Sequence, residues 1–305
     1  RTGDRAVARR ARGGAGMSDL SRFAINQITT KNLSLDLAVE TYARHGVGGI
    51  GVWMDYLDAA GIAAGAKRIR DAGLFVPCLC TSAWVNLADP AAYRAALEEN
   101  RRRLDAAAAI GAPTLVVVPG SLATGERDLV AARQRVEDAL AELLPYALAA
   151  GVKIGLEPLH PMFAGDRSCL NTFAQCLELC DRLGEGTGLV ADVYHCWWDP
   201  EFPKGLVAAG VERLLTFHLS DWLTPTRDVY QDRGMVGDGV IDHAYYRDLL
   251  NRIGYDGPIE IEIFSKLDWW QRDGDETVRV CVERCAPLVA PRVRQTPSSV
   301  AAIRA

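Results

Sequence analysis

From Arg22 onward the chain alternates short apolar runs with longer stretches in which apolar side chains recur every three or four residues. The short runs fall at residues 23–28, 49–53, 75–80, 114–119, 153–158, 188–193, 214–219 and 258–264. They read as buried strands, because a parallel strand covered on both faces presents apolar side chains in both directions. Between them, LSLDLAVETYARHG, AAYRAALEENRRRLDAAAAIGA and RDLVAARQRVEDALAELLPYALAAG carry the period of amphipathic helices. Several of these stretches close on Gly, the residue suited to a helix C-terminus. Eight strand-then-helix units predict an α/β chain folded as a (β/α)8 barrel. A doubly wound open sheet would also alternate, but no Gly-x-Gly-x-x-Gly run or phosphate-loop lysine follows an early strand.

No linker or change of composition marks a second domain, so the barrel is expected over residues 18–288. Residues 1–17, an Arg-, Ala- and Gly-rich start ending at Met17, read as a disordered leader or start-site artefact, with a basic targeting arm as the alternative. The unperiodic, proline-bearing end, from about Ala286 and formally 289–305, reads as a surface tail.

Composition narrows the function. The chain has 305 residues, 49% of them hydrophobic, enough to bury a large core. Thirty-nine acidic against 34 basic side chains give a formal charge of -5, which offers no basic field for nucleic acid or an anionic membrane. No apolar run reaches the ~18 to 20 residues that span a bilayer, and a cytoplasmic setting is expected. Eight cysteines in a chain this long do not form a disulfide scaffold. Cys78 and Cys80 are two apart, as on one face of a strand, while Cys176/Cys180 and Cys281/Cys285 are four apart, as on one face of a helix. Buried reduced thiols fit that spacing better than structural zinc.

The strand ends carry the chemistry. In such a barrel the active site forms where the strands finish. Strand five finishes on Glu157 in GLEPLHP, strand six carries Asp192 in ADVYH, strand seven His218 in FHLSD, and strand eight Glu262 in IEIEIF. Three carboxylates converging in a barrel mouth repel one another and lose hydration, so without a cation at least one takes up a proton. A divalent ion removes that conflict. Three carboxylates with one imidazole suit Mn²⁺ first, with Mg²⁺, Co²⁺ or Fe²⁺ as alternatives.

The segment from Phe23 to Cys285 resembles the sugar phosphate isomerase/epimerase group of xylose isomerase-like TIM barrels, which includes ketose 3-epimerases, inosose-processing enzymes and C-glycoside-cleaving lyases. The residues that carry the resemblance are Glu157 in EP, Asp192 and His195 in the D-x-x-H of ADVYH, His218 in FHLSDW, Arg233 with Gly237 and Gly239 in RGMVGDG, and Glu262 in EIF. It implies that Glu157, Asp192, His218 and Glu262 bind one metal ion, that Glu157 and Glu262 also move protons on opposite faces of a sugar, and that His195 and Arg233 contact substrate oxygens. The chain departs from many ketose epimerases in having His160 where an Asn follows the first metal glutamate, and in the length of DWLTPTRDVYQD. A homo-oligomer or a partner subunit is expected only by analogy with the family.

The reading that follows is a divalent-metal-dependent isomerase or epimerase of a keto-sugar, phosphorylated or not. It would abstract a proton next to the carbonyl and stabilise the resulting enediolate. A lyase or dehydratase acting on a keto-inositol or 3-keto-glycoside is the alternative, with His160 as its additional acid or base. A non-catalytic sugar-binding barrel is a third class. Several residues carry a plainer alternative. His160 could pack in its loop, His195 could bond a backbone carbonyl, and Arg233 could pair with Asp232 or Asp238. Glu260 is expected one layer below Glu262 as a buried ion-pair partner, and Asp221 as a tether for Arg233 or His195. Trp53 and Trp84, after strands two and three, are expected to wall the mouth, whereas Trp197, Trp198, Trp269 and Trp270 are expected in a lid or an interface.

Overall fold

A computed structural model describes residues 19–123 and 125–289. The expected leader, and the tail beyond Val289, lie outside the described residues. The strands are β1 (Phe23–Asn26), β2 (Gly49–Trp53), β3 (Leu79–Cys80), β4 (Thr114–Val117), β5 (Lys153–Leu156), β6 (Thr187–Asp192), β7 (Leu214–Leu219), β8 (Asp221–Trp222), β9 (Arg233–Gly234) and β10 (Ile259–Ile261). Eight of them close a parallel barrel in the order β1-β10-β7-β6-β5-β4-β3-β2, while β8 and β9 pair antiparallel as a separate ribbon.

The outer layer comprises α1 (Leu35–Arg44), α2 (Met54–Ala60), α3 (Ile62–Asp71), α4 (Pro90–Ile110), α5 (Leu129–Ala150), α6 (Phe173–Leu183), α8 (Phe202–Arg213), α9 (His243–Ile253) and α10 (Gly274–Val289). One short helical turn, α7 (Val193–Cys196), follows β6 directly. Side-chain caps start many of these helices: Ser34 at α1, Asp89 at α4, Asp128 at α5, and a Thr172/Gln175 capping box at α6. Helices α4 and α5 end on Gly111 and Gly151 at φ 73° and 70°, a conformation that side chains with a Cβ rarely adopt.

Apolar side chains between the strands and helices form one large core. Cys78, Cys80, Val116 and Val190 make a smaller cluster packed against Trp53. All eight cysteines are free and buried, as their spacing suggests.

Two boundaries differ from the sequence reading, and one element is new. The third strand shrinks from 75–80 to two residues, because Pro77 has no N–H to give the ladder; Phe75 keeps only an isolated bridge to Gly49. Helix α10 continues through Pro287 to a fully buried Val289, so the irregular tail does not begin at Ala286. The long segment after β7, for which the sequence reading gave no element, is bracketed by the two-residue strands β8 and β9, which set Trp222 opposite Arg233.

Candidate metal centre

Register brings the functional side chains together. Asp192 and His218 are Cα partners on β6 and β7, and Glu260 and His218 are partners on β10 and β7. Neighbours at the same register of a sheet project to the same face. Glu157 and Glu262 each sit one residue past a strand, held to the barrel by N–H donation to Val117 O (3.2 Å) and Leu219 O (2.9 Å). Asp192 ends β6 and also caps α7, its Oδ1 accepting from Tyr194 N–H at 2.8 Å.

One donor atom each from Glu157, Asp192, His218 and Glu262 lies within 4.8 Å of the others, and all four side chains are buried. His218 Nδ1 faces Glu157 Oε1 at 3.8 Å and Glu262 Oε2 at 3.6 Å. Both ring nitrogens of His218, and Glu157 Oε1, are buried without a hydrogen-bond partner. Polar atoms buried without partners are costly and rare. Hard oxygen donors, an imidazole and orphaned lone pairs facing one point fit a divalent cation, so these residues could hold one.

Electrostatics describe the same strain without the cation. Burial, reinforced by Glu262, holds the Glu157 carboxyl well above the ordinary carboxylate range. Burial also raises Asp192, although Arg233 opposes it. Burial alone would disfavour charging His218, but Glu260, Glu262 and Glu157 outweigh it and keep the imidazole protonated well above its usual value. Glu262 goes the other way: His218 and Arg233 overcome the effect of burial and keep it ionised.

Arg233, on β9, is buried beside this group. Its Nη1 donates to Asp192 Oδ2 at 2.7 Å and to Glu262 Oε2 at 3.3 Å, and its guanidinium lies over the Tyr194 and Phe264 rings at 4.5 and 4.8 Å. Asp232 and Asp238 pair instead with Arg227 and Arg284, so the loop-pair alternative for Arg233 does not hold. Asp221 tethers neither Arg233 nor His195. It accepts from the backbone N–H groups of Trp222, Gly237 and Ile241, which fixes the turn after β9.

His195 is held neutral by burial and by Arg233. The His160 N–H donates to its Nδ1 at 3.2 Å, and its Nε2 lies 3.0 Å from Arg233 Nη2. A neutral imidazole that accepts at Nδ1 carries its proton on Nε2. The Arg233 guanidinium can only donate, so its 3.0 Å contact with Nε2 is a hydrogen bond only in the opposite tautomer, with the proton on Nδ1; the ring accepts from the His160 N–H or from Arg233, not from both.

The cavity above the centre has a volume of about 110 Å³ and is lined by Glu157, Glu262, His195 and Arg233, with Trp53, Trp84 and Phe264 among its aromatic walls. Such a mostly apolar cleft with a few convergent polar groups is the usual form of a small-molecule site. Its lining also includes Thr81, Phe163, Arg167 and Tyr230, none of which the sequence reading singled out. Phe264 had a signal, since it stands two residues after Glu262 on the same face. Arg167 and Tyr230 lie on loops and had none.

His160 takes the packing alternative. Its ring stacks on Trp222 at 5.1 Å and meets Trp198 edge-on at 5.4 Å, while Nδ1 accepts from Met162 N–H. The proline on its C-terminal side holds the chain in a 3-10 turn, and the ring is not part of the cavity lining. The lid or interface expected of Trp269 and Trp270 is corrected. Both are buried, and Trp270 Nε1 donates to Ile28 O at 2.7 Å beneath Phe264. Trp197 packs on Trp222, and Trp198 Nε1 donates to His195 O at 2.8 Å, so these two brace the aromatic side of the site.

Fold and site together define a (β/α)8 barrel whose C-terminal mouth carries a buried carboxylate–histidine centre under an aromatic cavity. The chain belongs to the xylose isomerase-like TIM barrel family, whose sequence pattern matches residues 39–280. A crystal structure of a protein from Sinorhizobium meliloti 1021 is 40% identical, with a TM-score of 0.87 over 90% of this chain and 100% of that one. An inosose isomerase of Halalkalibacterium halodurans is 28% identical over 67% of this chain and 72% of its own length. A ketose 3-epimerase of Arthrobacter globiformis is 26% identical over 70% of this chain and 81% of its own. Among the described residues no helix is long and apolar enough to cross a membrane.

Proposed function

We propose that the protein is a divalent-metal-dependent isomerase or epimerase of a keto-sugar or keto-inositol. The observation that carries this reading is the convergence of four buried donor atoms within 4.8 Å, with His218 Nδ1 and Glu157 Oε1 left without hydrogen-bond partners. Glu157, Asp192, His218 and Glu262 would hold the cation, Mn²⁺ before Mg²⁺, Co²⁺ or Fe²⁺. When bound, such an ion supplies Lewis acidity at a substrate carbonyl and so acidifies the neighbouring C–H.

The chain's own residues do the rest. Glu157 and Glu262 approach from β5 and β10, separated around the barrel by β6 and β7, and are suited to taking and returning a proton on opposite faces of one carbon. Arg233 and His195, both in the cavity wall, are suited to contacting a substrate oxygen, with the guanidinium stabilising negative charge as the proton leaves. Trp53, Trp84 and Phe264 take the apolar C–H face of the ring and exclude water. Arg167, stacked 3.6 Å over Tyr230, reaches the far end of the substrate. Elimination would need a further acid for the leaving group. His160, the sequence-based choice for that role, packs outside the cavity, which favours isomerisation or epimerisation over the lyase alternative.

The test is proton NMR after incubation in D₂O of the Mg²⁺- or Mn²⁺-loaded protein with free ketoses, ketose phosphates, inososes and 3-keto-glycosides, with Glu262→Gln as control. Deuterium gained beside the carbonyl with the skeleton intact supports the proposal. Release of water or an aglycone moves the protein to the lyase class, and no control-sensitive change on any substrate refutes enzymatic turnover of this kind.

A further inference from the structure

We propose that Glu260, one layer below the four-residue centre, is its positioning residue: held by Asn26, whose amide Trp53 locks in place, it dictates which nitrogen of His218 faces the cation. This inference rests on the metal reading above. Glu260 is fully buried and its charge must be matched. Its Oε1 accepts from Asn26 Nδ2 at 2.5 Å, its Oε2 accepts from the Cys78 thiol at 3.5 Å, and Oε2 lies 3.8 Å from His218 Nε2. On the opposite edge of the same ring, Nδ1 faces Glu157 and Glu262. A carboxylate behind one ring nitrogen draws the proton there and leaves the lone pair of the other for a metal, as the outer partners of metal-binding histidines generally do.

The direction of this preference is built in by the residues around Asn26. Its Oδ1 accepts from Trp53 Nε1–H at 2.6 Å and from Ile28 N–H at 3.1 Å. Indole and peptide N–H groups can only donate, so the amide cannot flip, and Nδ2 must point at Glu260. The barrel wall also makes room for the carboxylate. A Cβ on Gly51 would stand 2.0 Å from Glu260 Oε1, so the glycine of β2 leaves the hole that Glu260 fills. Trp53, which lines the cavity, thus connects through Asn26 and Glu260 to His218.

Glu260→Gln is an informative change because its outcome is directional. The locked Asn26 Nδ2 takes the new amide oxygen, which turns the new NH₂ toward His218 Nε2. That nitrogen must then accept, and the ring proton moves to Nδ1, where the cation would sit. Isothermal titration with Mn²⁺ is expected to give an affinity about 10- to 100-fold weaker than wild type. Cys78→Ala, which removes a donor to Glu260 but not its contact with His218, should stay within about threefold. A measurement on the unaltered protein covers the case in which Glu260→Gln does not fold. In the Zn²⁺-loaded wild type, ¹⁵N NMR should find His218 protonated at Nε2 and metal-bound at Nδ1.

Wild-type affinity in folded Glu260→Gln overturns the proposal, as does an Nδ1-protonated His218 in the loaded protein. Cys78, His218 and Glu260 also lie within ligand distance of one another. Two ions per chain, with sulfur-to-metal charge transfer in the Co²⁺ protein that Cys78→Ala abolishes, would make Glu260 a ligand of a second ion and overturn the positioning role alone. If the wild type binds no divalent ion at all, the metal reading falls with it.

Discussion

Replacing Arg233 by methionine would test whether this side chain is the internal counter-charge of the centre. Methionine keeps an apolar stem against Tyr194 and Phe264 but removes the guanidinium that reaches Asp192 Oδ2 at 2.7 Å and Glu262 Oε2 at 3.3 Å. Asp192 is 0% exposed, and the change leaves it with the Tyr194 N–H and little else. Removing one partner of a buried ion pair costs about 3–5 kcal/mol, and burial leaves no solvent screening to soften it. At about 2–4 °C per kcal/mol for a chain of this size, the metal-free variant should melt roughly 6–20 °C below wild type. The pH dependence has a definite sign. Burial already raises the Asp192 pKa, and losing Arg233 raises it further, so the folded variant favours the protonated acid. As pH rises above about 4, the unfolded chain ionises more readily than the folded one, and the deficit grows. Calorimetry in chelator at pH 5 and pH 8, repeated with Mn²⁺, reads all of this. The cation should recover part of the loss by neutralising Asp192. A variant within about 1 kcal/mol of wild type at pH 8 in chelator would refute the counter-charge role.

Three further outcomes follow from the same geometry. In the metal-free protein the raised pKa values of Glu157 and His218 make protons stabilising, a contribution present at low pH and lost as pH rises through the folded values; the gain in Tm on adding Mn²⁺ should therefore be larger at pH 8 than at pH 5.5, and an equal gain would contradict it. Gly51→Ala should cost about 1–3 kcal/mol in urea denaturation and weaken Mn²⁺ binding, because the new methyl collides with Glu260; unchanged stability would mean that the strand yields. Arg167→Met should raise KM about tenfold or more, the value of a charged hydrogen bond to substrate, with kcat and Mn²⁺ affinity unchanged; steady-state kinetics on the substrate found by NMR would check it.

The sequence by itself determined the barrel and the level of its chemistry. Eight apolar runs separated by helical periods have few foldings other than strand and helix in alternation, and a polar residue finishing each of four successive runs falls at the barrel mouth. Glu157, Asp192, His218 and Glu262 were legible because strand ends are fixed by local pattern. Glu260 was legible as a buried partner one layer below Glu262, but its packing against Asn26 and Gly51 was not, since residues on three strands become neighbours only through the closing register of β1 with β2 and β10. Loop residues escaped for the same reason. Nothing in the segment around Arg167 or Tyr230 has a period that ties it to the cavity, and the sequence left His160 between loop packing and acid–base work, whereas in the fold its ring stacks on Trp222 and meets Trp198 edge-on. Local pattern dictates which face of its own element a side chain takes; which other faces meet it depends on contacts between residues far apart in the chain, and only the closed barrel brings those together.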